Sequence, residues 1–532
     1  MCSFVLFCLQ YLYIFIKHMK YSFSIDETIP FLAFRKLKEI AEKEVGAINV
    51  LDLSQGEPGY GFSPNVRSRQ FFSFIAMLDI EFNNHNIESS TNLFFKRTEA
   101  ELTEIELIVE KVANEKYSKD LAKELIVDWK EFISALEVIC NAQNLNYSRF
   151  DIYYELFKYS NLMGGRYPQP AGHPLLQATM AEEYSEYLGV KVKAHELIGI
   201  MGASHGIGAT FKALGSEGIE YLKRGHTVVM TSPVYAPYNN LFEERGINVV
   251  SVSVDPQTGE IDPADLKKIE NLEKKVRAII LIDPNNPTGF ASSDTFLKGI
   301  IDIAEEHNSL IITDSVYLRF FDDTQTICHY PQARKRLIQV DSLSKIERAT
   351  GVRAGDIYVS DEANDYITNN ILQNYFLKKY KNIRHLLFLA KSPGGKNIGL
   401  FQHITGIPGP SVAISLSHVI LGKPERAEYV QMLRKKVTIF YKNLEVQHNG
   451  NSYYGMVDLE TIESETSKLR DIEAVMEDIA RLGVVVMPAN LFFSRSDRHK
   501  KDRTRVIRVS LPNLSYEGTK RAAEIIKEVV SR

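Results

Sequence analysis

The sequence predicts an α/β fold with a mostly parallel sheet, a smaller α+β domain and a helical insertion. From about Val190 onward, short apolar runs alternate with amphipathic stretches, which is the pattern of successive βαβ units. The 532 residues suffice for about two to four domains. Polar residues follow the ends of several apolar runs, where open α/β sheets place their ligands. We therefore expect a ligand site at the carboxyl edge of the sheet.

Charge and cysteine content exclude several classes of protein. The chain carries 63 Lys and Arg against 67 Asp and Glu, for a net charge of -4. Nothing in this balance indicates a nucleic-acid partner or an anionic membrane surface. The four cysteines are too few for a disulfide framework and share no metal-ligand spacing. We expect a reducing, cytoplasmic location and no metal.

The N-terminal residues 1–18 leave the membrane question open. The uncharged run MCSFVLFCLQYLYIFI ends just before Lys17. It is shorter than the roughly 20 residues of a membrane-spanning helix, and it lacks the basic leader and cleavage site of a secretory signal. Two interpretations stand equally: a membrane anchor, or an artefact of the reading frame with Met19 as the true start.

The parallel sheet is expected from five apolar runs. In chain order they are HTVVMTS, INVVSVSV, RAIILID, SLIITD and RLIQVDS. Between the third and the fourth, SSDTFLKGIIDIAEEH has the apolar spacing of an amphipathic helix. Asp283, Asp314 and Lys345 are evenly spaced, each at or just past the end of a strand.

Two regions depart from this alternation. Residues 66–150 contain no Gly or Pro and show apolar residues at helical spacing, which predicts a helical insertion with a structural role. After about Ser392 a loop-rich stretch leads into an α+β tail. The predicted division is the N-terminal run 1–18, the first part of a small domain 19–65, the insertion 66–150, the large domain 151–391 and the second part of the small domain 392–532.

Three polar features point to chemistry. The stretch DPNNPTG, from Asp283 to Gly289, holds more turn-forming residues than a surface turn needs, which suggests a ligand. Lys345 follows a strand among hydroxyl residues, where an amine can form an imine with a carbonyl cofactor. Asp314 could hold a proton on a pyridine nitrogen. Considered alone, Lys345 is better interpreted as a surface lysine and Asp314 as a helix N-cap.

The stretch IGIMGASHGIGATFKALG predicts an anion site. Gly202, Ala203 and Ser204 precede a helix, whose first N–H groups bind anions. A dinucleotide fingerprint fails here, because Phe211 stands where its third glycine should be and the next strand ends without a ribose-binding acid. The phosphate of a smaller cofactor fits better.

With these motifs, the sequence resembles class I/II aminotransferases of the pyridoxal phosphate fold-type I (aspartate aminotransferase-like) superfamily. The resemblance implies a three-layer large domain that binds pyridoxal 5'-phosphate. Asn286 in NPTG and Tyr317 would contact the phenolic oxygen of the cofactor, and Asp314 its ring nitrogen. In SLSKIERATGVRAGD, Lys345 would be the Schiff-base lysine, with Ser342 and Arg353 as phosphate ligands alongside Ala203 and Ser204.

Four further matches follow in family order. SPVYAPY implies Tyr235 as the aromatic that stacks on the cofactor ring, and GRYPQPAGHPLL implies Tyr167 as a phosphate ligand across a homodimer interface. LSQGEPGYGFSP places Gly56 at the substrate entrance, and RVIRVSL implies Arg508 as the clamp on the substrate carboxylate. Two departures are the long segment between Gly56 and Tyr167 and Ala489, where the family usually has glycine.

The resemblance implies a ping-pong aminotransferase acting on an amino acid and a 2-oxo acid. A pyridoxal phosphate lyase or β-decarboxylase on the same fold is the first alternative, because the cofactor supports several reactions. A non-catalytic regulator that senses an effector is the second, but the chain shows no basic DNA-binding module. The sequence does not identify the amino acid.

Overall fold

The computed structural model describes residues 30–56, 58, 66–88, 99–159, 172–215, 219–255, 258–261, 263–270, 272, 274–321, 324–372, 383–384, 406–446, 453–468, 470–494 and 505–532. The predictions for residues 1–18, for Tyr167 and for the boundary at 391–392 lie outside these residues. Within the described ranges, no helical segment combines the length and hydropathy that a bilayer crossing requires.

The strands form one large and two small sheets. In chain order they are β1 (Leu51–Asp52), β2 (Leu197–Ile200), β3 (Thr227–Ser232), β4 (Asn248–Ser253), β5 (Val276–Ile282), β6 (Leu310–Asp314), β7 (Leu337–Ser342), β8 (Gly355–Tyr358), β9 (Tyr454–Asp458), β10 (Val484–Val485), β11 (Met487–Pro488) and β12 (Val506–Ser510). The large sheet has seven strands in the order β2-β8-β7-β6-β5-β3-β4.

The large sheet confirms the predicted α/β class. Its five parallel strands, β7, β6, β5, β3 and β4, are the five predicted from apolar runs. Strands β2 and β8 were not predicted, and β8 runs antiparallel to both of its neighbours. Both are only four residues long, and Gly355 and Asp356 in β8 weaken its apolar signal.

Burial explains why the central strands read as continuous apolar runs. Nearly every residue of β5 and every residue of β6 is buried, because helices cover both faces of the sheet. The predicted helix between them spans Asp294–Glu306. Its Ser293 side chain accepts a hydrogen bond from the Phe296 N–H and so caps the first turn, as serine commonly does.

The helices surround the sheets and are numbered in chain order. They are α1 (Pro30–Val45), α2 (Val66–Glu88), α3 (Glu99–Lys116), α4 (Lys119–Ala142), α5 (Arg149–Tyr153), α6 (Pro174–Leu188), α7 (Ala203–Leu214), α8 (Ala236–Glu243), α9 (Pro263–Glu270), α10 (Asp294–Glu306), α11 (Pro331–Arg334), α12 (Asp361–Tyr366), α13 (Gly409–Leu421), α14 (Lys423–Leu444), α15 (Glu465–Lys468), α16 (Ile472–Arg481) and α17 (Tyr516–Ser531).

The stretch predicted as a helical insertion is helical in its described residues. Helix α4 packs on α6 and α13, α2 packs on α13, and α3 packs on α2 and α4; these helices share one hydrophobic core with the adjacent face of the large sheet. Trp129 of α4 contributes to this core, with its ring stacked parallel to that of Tyr153 at 5.8 Å. The apolar stripe of α4 is therefore a packing face.

Residues from both ends of the chain meet beside the large sheet. Strand β1 pairs in parallel with β10, and α1 packs on α16. A second small sheet has the order β11-β12-β9. The exact division into domains stays a prediction, but this contact brings Gly56 and Arg508, which are remote in sequence, to the same edge of the large sheet.

Candidate active site

The predicted site residues line a single cleft of about 730 Å³ at the carboxyl edge of the large sheet. Every one of them that the structure describes is among its lining residues: Gly56, Ala203, Ser204, Tyr235, Asn286, Asp314, Tyr317, Ser342, Lys345, Arg353 and Arg508. Tyr167 lies outside the described residues. The volume suits a small-molecule ligand.

Sheet geometry explains the convergence. Strands β5, β6 and β7 are adjacent and parallel, with Ile282 opposite Asp314 and Asp314 opposite Val340. Their carboxyl ends therefore lie side by side. The segments that follow deliver Asn286, Tyr317 and Lys345 to the same space, as open parallel sheets do at this edge.

The carboxylate of Asp314 is buried and accepts a hydrogen bond from a tyrosine. One oxygen accepts a 2.6 Å hydrogen bond from the Tyr238 hydroxyl, and the other accepts from the Val316 N–H at 3.3 Å. Burial raises the pKa of Asp314 to about 6, against the lowering effect of these hydrogen bonds. Asp314 is thus not the N-cap of an α-helix, because the chain continues through Tyr317 into a short 3-10 turn.

The loop DPNNPTG divides its polar residues between folding and the cleft. The Asp283 carboxylate accepts hydrogen bonds from the Ser292 and Ile327 N–H groups, and the Asn285 side chain accepts two from Thr288. Asn286 instead faces the cleft and donates to the Tyr317 hydroxyl at 3.4 Å. Within the described residues its amide oxygen is buried without a partner. Asp283 and Asn285 thus have structural roles within the fold, and only the position of Asn286 in the cleft points to a ligand.

Lys345 reaches into the cleft and is not a surface lysine. Its Nζ donates a 2.6 Å hydrogen bond to the Gly56 carbonyl oxygen, and it lies 5.4 Å from the centroid of the Tyr453 ring. The amine therefore sits where the edge of the large sheet meets the loop after β1. A carbonyl carbon in the cleft would be within reach of this nucleophile.

The start of α7 forms an anion-binding corner. Gly202, at φ +80°, lets the Arg353 guanidinium approach so closely that a Cβ would lie 2.9 Å from Arg353 Cζ. Arg353 donates to the carbonyls of Met201 and Thr350, and its own φ of 58° fixes the turn before β8. The hydroxyl of Ser342 lies 2.7 Å from that of Ser344 nearby. Helix N–H groups, hydroxyls and a guanidinium together suit a phosphate.

Arg508 lies at the opposite end of the cleft on β12. Its guanidinium carbon is 4.5 Å from the Tyr454 ring centroid and 5.1 Å from that of Phe492, so the cation contacts two aromatic rings. One Nη donates to the Ser54 carbonyl, while Nε is buried without a partner among the described residues. A planar cation with spare donors fits a carboxylate.

Among the residues that line or support the cleft and were not predicted are Tyr238, Tyr454 and Phe492. Tyr238 lies three residues after Tyr235 on the first turn of α8, so helical spacing could have indicated that it faces the same way. Tyr454 and Phe492 carry no such signal, because they come from β9 and from the turn after β11. Their place depends on the tertiary packing of the C-terminal strands.

Comparison with known proteins agrees with this geometry. A family model described as "Aminotransferase class I and II" matches residues 159–526. Aspartate aminotransferase of Pyrococcus horikoshii is 30% identical over 194 residues, which cover 36% of this chain and 46% of that protein. Valine–pyruvate aminotransferase of Mycobacterium tuberculosis is 28% identical over 209 residues, covering 38% and 51%. The chain therefore aligns with about half the length of these relatives.

Solved structures show the same fold over a longer span. A Thermus thermophilus aspartate aminotransferase mutant has a TM-score of 0.57 at 17% identity, covering 97% of this chain and 98% of that one. Escherichia coli YbdL, whose structure was described with a methionine aminotransferase function, has a TM-score of 0.57 at 15% identity, covering 93% and 96%. At this identity they inform the fold alone.

Proposed function

The chain belongs to the class I and II aminotransferase family, and from that premise we propose that it is a pyridoxal 5'-phosphate-dependent aminotransferase. It moves an amino group from an amino acid to a 2-oxo acid by a ping-pong mechanism. The observation that carries this proposal is the convergence of Lys345, Asp314, Asn286 and Tyr317 on one cleft with an anion corner at one end.

The residues fit the cofactor group by group. Asp314 is a buried carboxylate that accepts hydrogen bonds from the Tyr238 hydroxyl and the Val316 N–H, and its negative charge suits a protonated ring nitrogen. The corner at Gly202 and Arg353 suits a phosphate. The Asn286 amide nitrogen donates one N–H to Tyr317 and carries a second N–H that suits a phenolic oxygen. When bound, the cofactor serves as the electron sink that stabilises negative charge at the substrate α-carbon.

Each side chain then has one task. Asp314 would keep the proton on the ring nitrogen, Tyr317 and Asn286 would bind the phenolic oxygen, and Tyr235 would pack against the ring. The phosphate would be held by Ala203, Ser204, Ser342 and Arg353, and by Tyr167 of the partner subunit in a homodimer. Gly56 borders the entrance, where its carbonyl holds Lys345.

Two residues handle the substrate itself. Arg508 binds the α-carboxylate and so orients the α-carbon, because its fork of N–H donors matches a carboxylate. The Lys345 amine takes the proton from the α-carbon of the amino acid, and in the second half-reaction it returns one to the α-carbon of the product. Proton transfer of this kind contributes about 10²- to 10⁴-fold to the rate.

The test is a donor and acceptor screen with the purified chain and pyridoxal phosphate. Formation of a new amino acid that depends on both the donor and a 2-oxo acid supports transamination. Release of ammonia or carbon dioxide without any need for an acceptor would overturn it in favour of a lyase or β-decarboxylase. The Lys345→Ala variant is the matched control, because it lacks the proton-transferring amine.

A further inference from the structure

Tyr454 joins the two ends of the cleft that handle the substrate. It is the first residue of β9 and is 4% exposed. Its side chain fills the space beside Gly56 so completely that a Cβ on Gly56 would lie 2.9 Å from Tyr454 Cζ. The hydroxyl therefore sits next to the carbonyl that holds Lys345.

Hydrogen bonds converge on the Tyr454 oxygen. Asn286 donates to the oxygen of Tyr317, and both the Tyr317 hydroxyl and the Lys345 amine donate to the oxygen of Tyr454. Tyr454 is thus the common acceptor of a short chain that links the predicted cofactor contacts to the amine. Such chains polarise their members and fix their geometry.

The ring of Tyr454 has a separate contact. Its centroid lies 4.5 Å from the guanidinium carbon of Arg508, and the Phe492 ring lies 5.1 Å from the same carbon. A cation over an aromatic face is attracted to it, and the attraction is directional. One tyrosine therefore touches both the proton-transferring amine and the carboxylate clamp.

We propose that Tyr454 is a positioning residue for transamination, whose hydroxyl holds the Lys345 amine in line with the α-carbon while its ring sets the plane of Arg508. The inference rests on the proposed function. It adds to that function a division of labour within one side chain, in which the hydroxyl affects turnover and the ring affects substrate binding.

The electrostatics around the hydroxyl provide a signature. Burial acts to raise the pKa of Tyr454, but the charges of Lys345 and Arg508 outweigh it and hold that pKa below its usual range. Burial raises the pKa of the neighbouring Tyr317, Tyr453 and Tyr441 instead. Tyr454 should therefore ionise at a lower pH than these buried tyrosines.

The first experiment is a near-ultraviolet titration of tyrosinate in the cofactor-free full chain, which needs no enzymatic activity. We expect an early component equal to one tyrosine that is absent from Tyr454→Phe and still present in Tyr441→Phe, the matched control for losing a buried hydroxyl. In Lys345→Met that component should move to higher pH. The proposal is overturned if the early component is still present in Tyr454→Phe, or if its pH midpoint does not change in Lys345→Met.

The second experiment separates the hydroxyl from the ring by kinetics. Misplacement of the amine should lower kcat of Tyr454→Phe by about 100-fold, with the KM of the donor within about twofold. Tyr454→Ala should lose turnover similarly and also raise that KM by about fivefold, because Arg508 loses one ring face. Equal KM values in the two variants, or an unchanged kcat in Tyr454→Phe, contradict the proposal.

The two experiments distinguish the failure of this inference from the failure of the proposed function. If no donor is turned over by the wild-type chain, the proposed function fails while the titration still tests the contact with Lys345. If transamination is intact in Tyr454→Phe, the proposed function stands and the role of Tyr454 is refuted. Melting curves of each variant identify any that does not fold, and Lys345→Met then supplies the titration test alone.

Discussion

The hydroxyl of Tyr238 donates a 2.6 Å hydrogen bond to the buried carboxylate of Asp314. A buried carboxylate without such a donor would protonate more readily, since burial disfavours its charge. Tyr238 therefore helps to keep Asp314 in the ionised form that the proposed function requires. The two residues come from α8 and β6, so this support depends on the packing of the helix against the sheet edge.

The Tyr238→Phe variant should require a higher pH to bind pyridoxal phosphate. Burial places the Asp314 pKa at about 6 even with the hydrogen bond in place, and loss of that bond raises it further. Because the ionised form is the active one, affinity is lost as pH falls through this pKa. A hydrogen bond to a charged group is worth about 1.5–3 kcal/mol, so we expect the acid limb of the affinity profile to move up by about one to two pH units.

The measurement is the pH dependence of pyridoxal phosphate affinity in the cofactor-free chain. Tyr221→Phe is the control, since it removes another tyrosine hydroxyl, one that donates to the Arg277 carbonyl away from the cleft. An acid limb that stays in place for Tyr238→Phe would show that this hydrogen bond does not tune Asp314.

Asn286→Ala should weaken cofactor binding, whereas Asn285→Ala should lower stability. Asn286 faces the cleft, so its loss should weaken pyridoxal phosphate binding by about tenfold, as for one hydrogen bond, with little change in Tm. Asn285 holds Thr288 inside the loop, so its loss should lower the free energy of unfolding by about 1–3 kcal/mol. Absorbance titration and thermal melting measure the two quantities. The reverse pattern would mean that the residues have been assigned the wrong roles.

Gly202→Ala should weaken recognition of the cofactor phosphate in particular. The φ of +80° and the nearby Arg353 leave no space for a Cβ, so the start of α7 must shift. We expect affinity for pyridoxal phosphate to fall by at least about tenfold, which corresponds to about 1.4 kcal/mol, while affinity for pyridoxal changes little. Gly208→Ala in the same helix meets open space and should bind both as before. An equal loss of affinity for both ligands would show that the phosphate does not bind at this corner.

Arg508→Lys should raise the KM of the amino acid donor. Lysine lacks the planar fork that matches a carboxylate and that contacts the rings of Tyr454 and Phe492. The loss of about 1.5–3 kcal/mol corresponds to a KM about 10- to 100-fold higher in steady-state kinetics. Arg277→Lys, which replaces a cation lying over the Tyr221 ring, is the control and should leave KM unchanged. A donor KM unchanged in Arg508→Lys would place the carboxylate elsewhere.

The sequence predicts this molecule best where one physical signal dominates. Strands β5 and β6 were found because burial on both faces leaves an uninterrupted apolar run. The lining of the cleft by Asp314 and Lys345 followed from their places at strand ends, whereas Asn286 was expected from the family resemblance. In contrast, nothing in DPNNPTG tells Asn285 from Asn286, because side-chain direction within a tight loop depends on its hydrogen bonds.

Contacts between remote segments could not be predicted. Arg508 meets Ser54 and Tyr454 only after β12 pairs with β9 and the loop after β1 closes over them. Tyr454 belongs to no recognisable motif, and its proposed role depends on contacts with residues from three other segments. Pairing of such distant strands is set by tertiary packing, which local sequence patterns do not encode.

The central claim is that the amine of Lys345 forms the covalent bond to the cofactor. The most direct measurement is borohydride reduction of the chain loaded with pyridoxal phosphate, followed by peptide mapping by mass spectrometry. We predict a pyridoxyl group on the peptide containing Lys345 and none in the Lys345→Ala variant. A label on another lysine, such as the buried Lys436, or no label at all, would contradict the account.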